Sequence, residues 1–272
     1  MKKRAITGIV FVAVLLLSVF AYQGVFLIVL FGFFGVVGTW EYYQMLLKNS
    51  NVIPHRFYGL FLSFFSYLYL VGSFIFDLPS FYFWLFFPFL FVPFLTELFR
   101  KNEAPFTNLL HVIAPVLYVI VPMALFVRLG FVNYSYNYIL ILSFLLMQWA
   151  NDTGAYLSGY FFGKKKLFER ISPNKTWEGA IGGAFLTVFV GFLCWYFFKE
   201  YPVLLYIGFA IIIAVVGSLG DLVQSMLKRS LNVKDSGKLM PGHGGVLDRF
   251  DGLILASPFI YAWFIFVENI LI

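Results

Sequence analysis

Four carboxylates in this sequence stand where an acidic side chain is costly or grouped with other hard ligands: Asp152, Asp221, Asp248 and Asp251. Asp152 follows an apolar run and precedes Thr-Gly-Ala-Tyr. Asp221 closes another apolar run, after Gly217-Ser-Leu-Gly220. A carboxylate at membrane depth costs roughly 2.5–3.5 kcal/mol on insertion scales, so it needs a metal, a cation or a water-filled cavity. An ion pair with a nearby lysine or arginine would meet that need without any chemistry. Asp248 and Asp251 are three residues apart, which puts them on one face of a helix. Hard oxygen ligands of this kind suit Mg²⁺, which takes one or two carboxylates together with substrate phosphates.

Cations surround these acids in sequence. Lys228, Arg229, Lys234 and Lys238 precede Pro241-Gly-His-Gly-Gly245, a tight loop whose glycines expose backbone N–H groups. Fixed cations and open amides are what a polyphosphate requires. The basic residues would equally serve to mark a membrane face or attract anionic lipid. A second polar stretch runs from Asp152 past Lys164-Lys-Lys166 to Ser172-Pro-Asn-Lys-Thr-Trp-Glu-Gly179. There Glu178 falls in the first turn of a helix, where the dipole favours an acid. Lys175 and Thr176 either complete that capped start or hold a phosphate. Gly182-Gly183 predicts close helix packing. No G-x-x-x-x-G-K-[ST] pattern occurs, so a P-loop nucleotide site is unsupported.

The elements that must position these groups are membrane helices. Of the 272 residues, 61% are apolar and only 12% charged, about half the charge of a soluble domain. The apolar residues lie in runs predicting an all-α, polytopic membrane protein with about nine spans, near 5–22, 25–45, 58–76, 81–99, 109–128, 138–160, 179–198, 203–220 and 253–270. With the N-terminus inside and the C-terminus outside, all 19 lysines and arginines except Arg128 and Lys199 fall on the inner side. The net charge of +6 is therefore read as topology, and no nucleic-acid partner is expected. Pro88, Pro93, Pro115 and Pro122 are expected to shape spans four and five. Cys194 lies alone in an apolar run and supports neither a disulfide nor a thiolate metal site. The reading is one membrane domain over 1–272, with N-terminal helices to about 137. Catalytic helices and cytoplasmic loops fill 138–272.

Segment 225–251 closely resembles the C-terminal motif of the CDP-diacylglycerol synthases, also called phosphatidate cytidylyltransferases. The matching residues are Ser225, Lys228-Arg229, Lys234-Asp235, Gly237, Pro241, His243-Gly244-Gly245, Asp248-Arg249 and Asp251. Asp152 and Ser172–Gly179 are similar to that family as well. Met240 departs from the branched aliphatic or Phe expected before the proline, a conservative change. The two motifs cover about a quarter of the chain. The resemblance implies that CTP and phosphatidic acid give CDP-diacylglycerol and pyrophosphate, with Mg²⁺ required and room for a second cation. It implies metal ligation led by Asp221 and Asp248, with Asp152 and Asp251 beside them. Lys228 and Arg229 would neutralise phosphates and His243 would donate to a phosphate oxygen. Ser172, Lys175, Lys234, Asp235, Lys238, Gly244, Gly245 and Arg249 would bind substrate. The expected setting is a bacterial inner membrane, among membrane lipids, with the site facing the cytoplasm. A homodimer is the first candidate assembly. Two rival readings remain: a CTP-dependent lipid-alcohol kinase, and a transporter with Asp152 and Asp221 along a polar path. A CDP-alcohol phosphotransferase is disfavoured, because Asp251-Gly-Leu-Ile-Leu-Ala departs from its D-G-x-x-A-R motif.

Overall fold

The computed structural model describes residues 2–50, 52–76, 78, 79, 81–132, 135–237, 239 and 244–271. Lys238, Met240, Pro241 and His243 of the sequence analysis lie outside them. The helices are α1 (Lys2–Phe20), α2 (Val25–Asn49), α3 (Arg56–Phe76), α4 (Phe81–Leu98) and α5 (Pro105–Arg128), then α6 (Ile139–Phe162), α7 (Trp177–Phe198), α8 (Val203–Ser230) and α9 (Leu247–Leu271). Two antiparallel hairpins supplement the helical reading. β1 (Phe131–Val132) pairs with β2 (Ser135–Tyr136), and β3 (Lys166–Phe168) pairs with β4 (Ser172–Thr176). Among the described residues, α2, α4, α5, α7, α8 and α9 are long and apolar enough to cross a membrane. The chain is thus a helical membrane protein. α6 carries Gln148, Asn151 and Asp152 at its middle and is less apolar. On α7, Phe185, Phe189 and Phe192 are exposed, as a lipid-facing stripe would be.

The prolines do shape α4 and α5. Pro88 lies in the 3₁₀ turn Phe87–Leu90, and Pro93 opens the helical segment after it. Pro115 and Pro122 flank the π turn Val116–Ile120. A missing N–H breaks the helical ladder at each point.

The chain forms two compact units: Met1–Asn137 with Ser230–Arg249, and Tyr138–Arg229 with Phe250–Ile272. In the first, Phe31 of α2 stacks on Phe126 of α5 at 4.6 Å. The buried Tyr43 donates to the Val112 carbonyl at 3.1 Å. The α2–α3 connection is fixed by two bonds at Ile53. Its N–H donates to Asn108 Oδ1 at 2.9 Å and its carbonyl accepts from Arg100 Nη1 at 3.1 Å. Burial and the neighbouring Arg100 charge hold the His55 imidazole there below its ordinary pKa.

In the second unit, α6 and α7 lie against each other on glycines, as Gly182-Gly183 led one to expect. A Cβ on Gly154 would come 3.0 Å from the Cα of Gly183, and one on Gly183 would come 2.9 Å from the Asn151 carbonyl. Both obstacles are backbone, which cannot step aside. Gly183→Ala is expected to destabilise by about 1–3 kcal/mol, the usual cost of overpacking. Ile181→Ala, at a position 67% exposed, is the control that should change little. Thermal unfolding of both variants in detergent checks this.

Candidate active site

The second unit gathers three of the singled-out acids, and glycines let it do so. α8 contains a π turn, Ile213–Gly217, just before Ser218 and Asp221. An extra residue in the ladder re-aims the side chains beyond it, and such turns recur at functional sites. A side chain on Gly220 would collide with the Asp251 carbonyl. One on Gly252 would come 3.1 Å from the Gly217 carbonyl and 2.6 Å from Gln148 Nε2. α6, α8 and α9 therefore approach backbone to backbone at the level of the acids. Gln148 Nε2 donates to Asp152 Oδ1 at 3.2 Å, and Asn151 Nδ2 to Ser218 Oγ at 3.1 Å.

The charges there are mutually dependent. Asp251 interacts electrostatically with Asp221 and Asp152, which repel it, and with Lys228, which attracts it. The Gly252 amide donates to Asp251 Oδ1 at 2.8 Å. Asp221 Oδ2 pairs with Lys175 Nζ at 2.8 Å, and Ser225 donates to Asp221 Oδ1 at 3.3 Å. Lys175 also donates to the Ser218 carbonyl at 3.1 Å. The side chains of Lys175 and Asp221 are 26% and 44% exposed, so the pair stays open to an arriving ligand.

Local structure explains how Lys175 gets there. Thr176 caps α7, its hydroxyl accepting from Gly179 N at 3.1 Å. Glu178 accepts the amides of Lys164 at 3.1 Å and Lys165 at 3.2 Å, which closes the β3–β4 hairpin onto the helix start. Thr176 and Glu178 thus serve the capped start, while Lys175 reaches Asp221. Ser172 opens the same strand, β4.

The first unit holds the other set: Lys234, Asp235, Gly244, Gly245, Asp248 and Arg249. Here the organiser is a residue the sequence reading passed over. Glu41 of α2 is only 5% exposed. It accepts from Val246 N at 3.0 Å, Leu247 N at 3.1 Å and Ser236 Oγ at 3.0 Å. Asp248 Oδ2 accepts from Ser236 N at 2.8 Å, Ser236 Oγ at 3.0 Å and Gly245 N at 3.1 Å. Two carboxylates therefore share the amides that open α9, where the dipole favours them. The glycines are a result of this crowding. A side chain on Gly237 or Gly245 would run into the Glu41 carboxyl, and Gly244 has φ +88° with Asp248 Oδ2 2.7 Å from where its Cβ would be. The Gly245 amide, expected to face a phosphate, is turned to Asp248 instead. Arg249 is exposed, its amide donating to the Val246 carbonyl at 3.0 Å. A buried acid in an apolar run was a visible signal for Glu41, but its position near the end of α2 invited a bland reading.

Among the described residues, no group of three His, Cys, Asp or Glu side chains is placed to hold a metal ion. The donor chemistry of Asp152, Asp221 and Asp251 nonetheless fits Mg²⁺, which needs only one or two carboxylates beside phosphate and water oxygens. Their mutual repulsion is what a divalent cation relieves.

Comparison with known proteins adds to this geometry. A family model described as the cytidylyltransferase family matches residues 2–267. The chain is similar to a phosphatidate cytidylyltransferase of Haemophilus influenzae, 31% identical over 98% of this chain and 99% of that one. It is also similar to phosphatidate cytidylyltransferases of Staphylococcus aureus and Staphylococcus haemolyticus. These are 48% and 46% identical over 44% of this chain and 46% of theirs.

Proposed function

The chain belongs to the cytidylyltransferase family, and from that membership we propose that it is a phosphatidate cytidylyltransferase. A phosphate oxygen of phosphatidic acid attacks the α-phosphorus of CTP. The bond from that phosphorus to the bridging oxygen of the β-phosphate breaks, giving CDP-diacylglycerol and pyrophosphate. The observation that carries this reading is the match to the Haemophilus influenzae enzyme along nearly the whole length of both chains.

The nucleophile is already an anion, so the reaction needs no strong general base. Its obstacle is bringing two polyanions together, which fixed cations answer by screening and alignment. Lys175, held by Asp221 and the Ser218 carbonyl, is a cation of fixed position that a phosphate oxygen can claim. Lys228, which attracts Asp251, is a second cation beside the acids. Asp221, Asp251 and Asp152 are the residues that would hold Mg²⁺. Bound there, the ion would neutralise phosphate charge and stabilise the leaving pyrophosphate. Asp248, with Glu41, holds Ser236 and the amides of Gly245, Val246 and Leu247 at the start of α9.

The finer topology belongs to the same reading. Nine spans with the N-terminus inside put all basic residues but Arg128 and Lys199 on one face, which supports a cytoplasmic site. The bacterial relatives support an inner-membrane setting.

The test is transfer of label in purified protein supplied with phosphatidic acid, Mg²⁺ and CTP carrying ³²P at the α- or the γ-position. Label is expected in the lipid phase from the α-position alone. Transfer from the γ-position alone, with a lipid alcohol as acceptor, would replace this reading with a CTP-dependent lipid kinase.

A further inference from the structure

In the second unit, the hairpin β3–β4 joins the end of α6 to the start of α7, a helix long and apolar enough to span. The last turn of α6 is bare on most of its circumference. Tyr160, Phe161 and Phe162 are 73%, 69% and 68% exposed, and three successive positions cover about 200° of a helix. Trp177, the first residue of α7, and Phe168 of β3 are exposed as well. Exposed large aromatics gathered in this way suit lipid better than water. At the ends of membrane helices such rings settle at headgroup level. Directly after them come four exposed cations, Lys164, Lys165, Lys166 and Arg170. Lys164 follows Phe162 by two residues, so the cations begin at the depth the rings mark. The acids nearby are Glu169, which is exposed, and Glu178, whose carboxylate is turned to the Lys164 and Lys165 amides. Segment 164–170 therefore sets four cations against one carboxylate.

We propose that this hairpin is a docking surface for the anionic phospholipid headgroups of the bilayer, and that their binding steadies Lys175. The aromatics set the depth of the hairpin. The cations supply the preference for an anionic over a zwitterionic surface, as basic segments beside membrane spans do. Backbone pairing carries the effect toward the acids. Lys166 pairs with Thr176 across the hairpin, and the Trp177 amide donates to the Lys165 carbonyl at 2.9 Å. Lys175 is the residue before Thr176, and its ammonium lies 2.8 Å from Asp221. Headgroups that hold 164–166 thus hold the strand that presents Lys175. The headgroup bound here is a ligand and not a reactant. The link to rate rests on the cytidylyltransferase reading; the lipid preference of the hairpin is independent of it.

The experiment uses the full-length protein in phosphatidylcholine nanodiscs, with or without phosphatidylglycerol, in the absence of CTP and phosphatidate. Hydrogen exchange is read at the amides across 165–177. Phosphatidylglycerol is expected to slow it about fivefold, with the difference shrinking at high salt. Lys164→Gln, Lys166→Gln and Arg170→Gln together should abolish the slowing. Lys164→Arg, Lys166→Arg and Arg170→Lys together should keep it, and all three proteins should exchange alike in pure phosphatidylcholine. In turnover at saturating CTP and phosphatidate, phosphatidylglycerol should raise kcat about threefold in the unaltered protein and not in the triple-glutamine variant, whose KM for CTP stays unchanged. Equal exchange in the two bilayers would overturn the proposal, as would a slowing that survives the loss of the three charges. A raised KM for CTP in the triple-glutamine variant would assign these cations to the nucleotide and overturn it too. Exchange needs no reaction, so an unaltered protein that transfers no label to any lipid sinks the cytidylyl reading while the hairpin still reports on the lipid.

Discussion

Asp221→Asn is expected to lower cytidylyl transfer by about 10²–10³-fold, the usual loss when a charge-stabilising group leaves an active site, with no loss of folded stability. The two halves of that expectation have separate causes. Activity falls because Asp221 both positions Lys175, at 2.8 Å, and belongs to the set of acids that would carry Mg²⁺. Stability persists because Lys175 keeps its bond to the Ser218 carbonyl, and because the side chain is 44% exposed and its replacement is the same size. Removing its charge also relieves repulsion on Asp251, so the thermal midpoint should hold or rise slightly. Initial rates and thermal unfolding measured on one preparation decide the matter. A fall in both together would mean that the Asp221–Lys175 pair is a strut and that the chemistry lies elsewhere.

Glu41→Ala should have the largest effect in the first unit, far from any of the motif residues in sequence. The substitution leaves the Val246 and Leu247 amides without their acceptors in a buried place. Each orphaned donor costs about 1–3 kcal/mol. Hydrogen-exchange protection at 246 and 247 should therefore drop roughly 10–100-fold, while amides in α6 and α7 keep theirs. Ser236 retains Asp248 but loses its second acceptor, so Ser236 and the first turn of α9 are held less firmly and transfer falls by at least about tenfold. Glu41→Gln keeps the shape and one acceptor oxygen and should fall between. Unchanged exchange at 246 and 247 in Glu41→Ala would show that this carboxylate does not hold those amides.

These two residues also mark what a reader of the sequence can and cannot see. Asp152, Asp221 and Asp251 announce themselves because an acid in or beside an apolar run has few inexpensive reasons to be there, and the second unit brings all three together. Lys175 stood out in the sequence as a candidate for holding a phosphate, but its pairing with Asp221 depends on a two-stranded hairpin that no strong strand signal announces. Gly182-Gly183 reads directly as helix contact. Gly220 and Gly252 do the same for α8 and α9, but their meaning depends on which helices neighbour each other, and a single sequence does not say. The π turn at Ile213–Gly217 has no residue code, since it arises from packing. Glu41 was passed over because its partners lie about 200 positions away. Gly237, Gly244 and Gly245 stood out in the motif, but what demands glycine at these three positions is their crowding against the carboxylates of Glu41 and Asp248.

That long separation has a consequence for how the protein is made. Glu41 leaves the ribosome early, but Ser236, Val246 and Leu247 emerge 195, 205 and 206 residues later. At roughly 5–20 residues per second, the helix carrying that acid waits on the order of 10–40 s for the amides it will accept from. In the interval the carboxyl lacks these partners in an apolar helix, at a cost below the roughly 2.5–3.5 kcal/mol of a helix-centre charge because Glu41 lies toward the end of α2. α2 is therefore held in the nascent state only weakly, and it becomes secure when the last span arrives. A chain cut before residue 246 lacks both backbone amides that Glu41 accepts from, so this helix gains those two contacts only when synthesis is nearly complete.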